Sequence, residues 1–317
     1  MTLLSDVRGP ESVAVGVADE SWRGLFHRTA IQSISLRPGQ QCLSTRIHGA
    51  DGRLFGGISG VRDGTVVEAG LDLVSSRATP AVVATVLRRS LEKLGAQGVR
   101  EVELHLPPAC HSDNEPLVQF TVLNEGFTVR SCELNQHLDL SHLRSPRQWV
   151  DELRRPARSA LDRLHAKDLQ VREVRGRAEW EAGRQLLHGG ADLVLSWDDL
   201  AGARAPLAPH VRMVCVFRRG APIAAALVYR VRPAVELVAA WGESDHRLAH
   251  SPLVLLAAEL VEQALRQGVQ TIDLGQVSDV AAVAGEAAER GHGSAQLARS
   301  LSAREQPRLT VATTLAA

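Results

Sequence analysis

The sequence predicts an α/β chain of the α+β type, with two domains in tandem, each a mixed, mostly antiparallel twisted sheet flanked by helices. Three observations carry that prediction. Residues 79–104 (TPAVVATVLRRSLEKLGAQGVREVEL) and 251–275 (SPLVLLAAELVEQALRQGVQTIDLG) follow one plan: a hydroxyl residue, a proline, an apolar-striped helix, Gly-Val and a strand. Each copy follows short strand-like stretches separated by turn residues, the pattern of antiparallel hairpins. A chain of 317 residues, 44% hydrophobic and 23% charged, is long enough and apolar enough for two cores without covalent staples.

The elements follow in order. Residues 42–48 and 53–61 read as strands joined by Gly49-Ala50-Asp51-Gly52, and 65–69 as a third. Thr79 is a natural N-cap for a helix whose first turn tolerates Pro80. Val83, Val86, Leu87, Leu91 and Leu94 then recur at helical spacing, and Gly95 and Gly98 end the helix. A strand at 99–106, a short helix at about 116–124 and a strand or hairpin at 125–140 complete the first half. In the second half, strands are expected at 169–174, on both sides of Arg219-Gly220, at ELVAAWGE, at 269–275 and at 308–315, with helices at 178–188 and 252–266. The two proline-to-glycine spans, Pro80 to Gly98 and Pro252 to Gly268, differ by two residues, an ordinary loop adjustment, so a duplicated unit accounts for the repeat.

Composition excludes several classes. Lys and Arg total 36 and Asp and Glu total 36, so no general nucleic-acid-coating surface is expected and any basic patch is local. Such a patch lies in 141–177, where ten Lys/Arg face five Asp/Glu, on a helix expected over roughly 146–166 and bent or divided by Pro156. Cys42, Cys110, Cys132 and Cys215 are scattered without a CxxC, as in a reducing compartment. The first twelve residues, MTLLSDVRGPES, lack a signal pattern and no window reaches eighteen apolar residues, so a cytoplasmic location is expected.

Three stretches then carry a resemblance: LNEGFTVRSCELNQHLDL (123–140), RRPARSALDRLHAKDLQVREV (154–174) and the 251–275 segment. Together they resemble the Fem family of aminoacyl transferases and its relatives with GNAT-like acyltransferase domains. The resemblance implies two GNAT-like domains, a degenerate, mainly structural one at 1–143 and a second at 144–317 with the basic helix and the active cleft. It implies transfer of an activated acyl group to an amine, with aminoacyl-tRNA or acyl-CoA as co-substrate and no tightly bound cofactor. Such chemistry needs proximity, a donor for the tetrahedral oxyanion and a route for the amine's proton, so the lack of a nucleophile triad is no objection.

The donor is read from the segment GESDHRLAHSP (242–252), where acyl-CoA enzymes cradle a pyrophosphate. It has one glycine, at its start, and two acids, Glu243 and Asp245, which oppose phosphate. That favours aminoacyl-tRNA, met by Arg154, Arg155, Arg158, Arg163 and Lys167 of the basic helix. The bland reading of Arg155 and Arg158 is a solvated face paired with Asp151, Glu152 and Asp162. Glu243 or Asp245 is a candidate proton acceptor, or a turn-holding residue. Tyr229, the one tyrosine, is a candidate donor or proton carrier, or a core residue. Trp197, Asp198 and Trp241 are candidates for the acceptor pocket. Asp273, echoed by Glu103, reads as fixing local geometry. In the 297–311 segment Leu297 and Ala298 stand where relatives carry an aromatic-lysine pair, and Arg299 is the candidate substitute for the lysine, one residue out of phase. A catalytically inactive binding protein is the alternative this departure leaves open.

Other motifs fail. GGISGV (56–61) is no nucleophile elbow, Gly291-His292-Gly293 has no third glycine, and the twelve histidines include no HExxH.

Overall fold

In the computed structural model, residues 25–32, 36–74, 78–187, 194–202, 204–244, 250–277 and 297–315 are described. Twelve strands, β1 (Gln41–Ser44), β2 (Ile47–His48), β3 (Leu54–Asp63), β4 (Val66–Leu73), β5 (Glu101–His105), β6 (Thr128–Asp139), β7 (Gln170–Glu173), β8 (Val211–Arg218), β9 (Ala221–Arg232), β10 (Val235–Glu243), β11 (Thr271–Val277) and β12 (Arg304–Thr314), form one sheet. The helices are α1 (Thr29–Gln32), α2 (Pro80–Ala96), α3 (Glu115–Asn124), α4 (Pro146–Glu152), α5 (Arg155–His165), α6 (Arg177–Arg184), α7 (Trp197–Ala201) and α8 (Leu253–Arg266).

The strand order β1-β3-β4-β5-β12-β6-β11-β10-β9-β8-β7 reads almost the same from either end. Within it β4·β5 and β10·β11 are parallel and the other pairs antiparallel. The fold class predicted from the repeat is therefore present: each parallel pair is linked by one of the matched helices, α2 or α8. The sheets of the two halves are nonetheless continuous. The last strand of the chain, β12, lies between β5 and β6, and β6 lies between β12 and β11. Each half thus gives its final strand two neighbours from the other half. Residues 125–140, expected as a strand or hairpin, yield one long strand because β6 has a partner along both edges.

Helix α2 forms for the predicted reasons. The Thr79 side chain accepts the Val82 N–H, Pro80 opens the first turn, and Val83, Val86, Leu87 and Leu94 are buried on one face. Full burial of each is worth roughly 1.5–3 kcal/mol. In α8 the matched Ser-Pro pair works differently. Pro252 itself holds the cap position, and the Ser251 hydroxyl donates to Glu243 at 2.6 Å while accepting the Leu253 N–H at 3.2 Å. Gly98 and Gly268 follow the two helices at φ 83° and 70°, where a side chain would be strained.

The predicted basic helix is two helices. Leu153, at ψ 142°, breaks the run, and Pro156 sits in the first turn of α5, where its missing N–H costs nothing. Arg158 secures the break by donating to the carbonyls of Val150 (3.1 Å), Asp151 and Leu153 (3.1 Å).

Among the described residues three apolar clusters flank the sheet. One packs α4, α5 and α8 against the second half, and one packs α2 and α3 against the first. The register places both on the same side, since Leu138 of the first cluster and Leu309 of the second share a face across β6 and β12. The third lies on the opposite face of the second half, under Leu25, Ile31, Trp180, Leu195 and Leu207. Among the described residues no helix is long and apolar enough to cross a membrane.

Two outcomes follow. Polypeptides 1–143 and 144–317, expressed separately, are expected to lack a cooperative thermal transition and to regain one when refolded together; two independent transitions would contradict the shared sheet. Arg158→Ala is expected to lower stability by about 1–2 kcal/mol in denaturant titration, whereas Arg155→Ala, at an exposed side chain, leaves it nearly unchanged.

Candidate active site at the seam of the sheet

One row of cross-strand partners builds the site. Tyr229 of β9 is paired with Leu237 of β10, Leu237 with Asp273 of β11, Asp273 with His137 of β6, and His137 with Arg304 of β12. All five share a face, so the row runs from the third apolar cluster into polar residues as it crosses the seam. Beyond β5, Pro107 and Pro108 cannot continue a strand ladder, and a 3-10 turn at Ala109–His111 carries Cys110 and His111 over the row.

There His111 Nε2 lies 2.7 Å from Asp273 Oδ2, with side-chain exposures of 12% and 3%. The other Asp273 oxygen accepts the Gly275 N–H at 2.8 Å. Gly275 has φ 89°, and the β11·β6 register breaks between Asp273 and Gln276, so this turn both interrupts the ladder and fixes the carboxylate. Burial, reinforced by the Asp273 carboxylate, pushes the Cys110 thiol well above its usual range, so it stays protonated and is no ready nucleophile. Burial lowers His137, keeping its imidazole neutral. Three buried groups on these paired strands have no hydrogen-bond partner: Asn135 Nδ2, His137 Nδ1 and Gln306 Nε2.

Two cavities meet at this point. A deep one of about 130 Å³ is lined by His27, His111, Asn135, Arg232, Asp273 and Arg308 among others. A wider cleft of about 690 Å³ includes Cys110, His111, His137, Arg232, Arg304 and Gln306. His111 and Arg232 border both. Arg232 is held at 2.9 Å by Asp72, whose second oxygen meets His27 Nδ1 at 2.6 Å, and lies 3.8 Å from Glu115. The segment carrying His27 spans the seam: Phe26 packs edge-on against Tyr229 at 5.4 Å, while the His27 carbonyl accepts the Ser59 hydroxyl of β3. A Cβ on Gly70 would lie 2.1 Å from the His27 ring, so this strap can seat only over a glycine. Burial pushes the Glu115 carboxyl up to about 8.

The residues expected from the sequence to be catalytic do not assemble here. Tyr229 is fully buried in the third cluster, and desolvation raises its phenol, so it packs rather than shuttles protons. Glu243 stands at the far end of β10, bonded to Ser251. Arg299 bonds Glu305 at 2.9 Å on the face of the sheet opposite Asp273. Asp245 lies outside the described residues. Of the acceptor-pocket candidates, Trp241 is in the first core cluster, Trp197 packs edge-on against Trp180, and Asp198 pairs with Arg177 at 2.7 Å on the surface. Arg154, Arg155, Arg163 and Lys167 are exposed on or beside α5, with Arg163 reaching His250 at 3.0 Å; Arg158 is engaged by the α4 carbonyls. His111, Cys110 and Asn135 were not expected. Their only sequence signal is the Pro-Pro that halts β5 just before Cys110-His111.

No family model and no curated protein sequence matches the chain. Among solved structures the fold is similar to that of FemX, with a TM-score of 0.70, 9% identity and 92% of each chain covered. It is also similar to the C-terminal domain of a proposed lysylphosphatidylglycerol synthetase from Agrobacterium fabrum (TM-score 0.53, 10% identity, 85% of this chain and 84% of that one). L-PGS from Bacillus licheniformis gives a TM-score of 0.52 at 11% identity over 84% of this chain and 83% of that one. At these identities the likeness is one of fold.

The buried Glu115 provides a pH test. The native state keeps this proton up to about pH 8, whereas the unfolded carboxyl releases it near 4.5, so stability falls as the pH rises through that window. Glu115→Gln removes the loss. Its melting temperature relative to the parent is expected to be several degrees higher at about pH 8.5 than at about pH 5. An equal difference at both pH values would contradict a neutral Glu115.

Proposed function

We propose that the chain is an N-acyltransferase that moves an activated acyl group, aminoacyl from aminoacyl-tRNA, onto an amine of a small molecule or peptide precursor. The observation that carries this reading is the pairing of a buried His111–Asp273 dyad with the unpartnered Asn135 Nδ2 in one cavity. The similarity of fold to FemX supports it.

With Nε2–H directed at Asp273, Nδ1 of His111 is the nitrogen left to accept a proton. The amine attacks the donor's ester carbonyl, and its proton passes to Nδ1. The carbonyl oxygen becomes an oxyanion for which Asn135 Nδ2 is the ready donor. Collapse re-forms the carbonyl, breaks the ester C–O bond and returns the proton to the departing ribose oxygen. The Asp273 carboxylate steadies the transient imidazolium, as an orienting carboxylate does in other dyads. The smaller cavity takes His111 and Asn135 from residues 1–143 and Asp273 from 144–317, so both halves serve the chemistry.

The exposed Arg154, Arg155, Arg163 and Lys167 lie on the α5 side of the sheet, opposite the dyad, where they offer cations to phosphates of the tRNA away from its acylated end. Glu243, bonded to Ser251 beside the start of α8, sets a carboxylate where an acyl-CoA pyrophosphate would lie. Both features favour tRNA, and a cytoplasmic location suits that donor.

The test is transfer from radiolabelled aminoacyl-tRNA to a panel of amines, with and without ribonuclease. Ribonuclease-sensitive amide formation is expected, with kcat lowered about 10²–10⁴-fold in His111→Ala and about 10²–10³-fold in Asn135→Ala. Product made from acyl-CoA and insensitive to ribonuclease would move the donor assignment to CoA. No turnover with either donor would overturn the reading.

A further inference from the structure

Cys110, His111 and Asp273 are also a set of metal donors that their positions in the chain conceal, and we infer that they bind one divalent transition-metal ion of the Zn²⁺ type. The thiol sulfur, an imidazole nitrogen and a carboxylate oxygen all lie within 4.8 Å of one another. One sulfur, one nitrogen and one oxygen suit Zn²⁺, and three protein ligands leave a fourth tetrahedral position for solvent. Cys110 and His111 both line the wide cleft, so an ion has a way in.

The geometry needs little change. His111 Nε2 and Asp273 Oδ2 are 2.7 Å apart, whereas two ligands at zinc distance in a tetrahedron stand about 3.3 Å apart. Opening the hydrogen bond by roughly half an ångström, with the ring proton moving from Nε2 to Nδ1, frees both lone pairs for the metal. The thiol proton leaves to solvent as the metal–sulfur bond forms, so charge and protons balance. The outer layer is in place as well. Asp273 Oδ1 is fixed by the Gly275 N–H at 2.8 Å, the kind of support that orients ligands in metal sites. A separate observation points to the same patch. His137, the cross-strand partner of Asp273, is 7% exposed and its Nδ1 has no protein partner, an unanswered polar atom on the residue next to the donor set.

This inference stands apart from the acyl-transfer reading, because the ion takes the nitrogen that Asp273 orients; dyad and metal site are alternative states of the same side chains. Its test needs no substrate. The full chain, stripped with a chelator, is titrated with Co²⁺ and followed by absorption. One equivalent is expected to give a near-ultraviolet thiolate-to-cobalt band with intense visible bands of a tetrahedral site, bleached by Zn²⁺. Cys110→Ser is expected to abolish the near-ultraviolet band and Cys132→Ser to leave it. His111→Ala is expected to weaken apparent affinity by at least about 100-fold. Melting of each metal-free variant checks the fold, and the conservative serine replacement decides the matter if the alanine variant is unstable. Absence of the band at equimolar Co²⁺, or its survival in Cys110→Ser, overturns the inference.

Discussion

The reciprocal placement of β6 and β12 is the constraint on which the rest depends. Each strand closes the sheet of the other half, so the ladders on both edges of β6 and β12, and on one edge each of β5 and β11, form only when both halves are present. An unpaired edge on either half would expose a ladder of polar groups and the apolar face behind it. The two matched βαβ units are therefore joined by hydrogen bonding as well as by the chain.

The site is a product of that seam. Helices of both halves cover one face of the sheet, whereas on the other face the polar row Asp273–His137–Arg304 falls where the third apolar cluster gives out. Buried charges survive there because each is answered. Asp72 is held by His27 and Arg232, and Asp273 by His111 and the Gly275 N–H. The groups left unanswered, Asn135 Nδ2, His137 Nδ1 and Gln306 Nε2, belong to residues that line the two cavities and mark where the fold leaves polar capacity.

Local signals in the sequence reached most of the fold. The 3.6-residue stripe of α2, the Thr79 cap, the Arg219-Gly220 turn with φ values of 52° and 81°, and the repeat of the helix-to-strand unit all depend on neighbours along the chain. The break between α4 and α5 was half legible: Pro156 announced it, but the extended Leu153 and the grip of Arg158 on three carbonyls are tertiary detail. The strand exchange was not legible, because β6 and β12 look alike whichever sheet they join. The site was least legible of all. Asp273 reads as a strand-end residue until β11 is set beside β6 and under the loop at 109–111, more than 160 positions away in the chain. Tyr229 and Arg299 drew attention by scarcity and by position, yet pairing buries one in the core and turns the other to the opposite face.

Native-state hydrogen exchange tests the shared sheet most directly. If the halves are one cooperative unit, the slowest amides of β6 and β12 exchange with a single opening free energy, equal to that of global unfolding, and with the same denaturant dependence. If either strand opens at a clearly lower free energy while the other half stays protected, the halves are separable and the seam does not hold the molecule together.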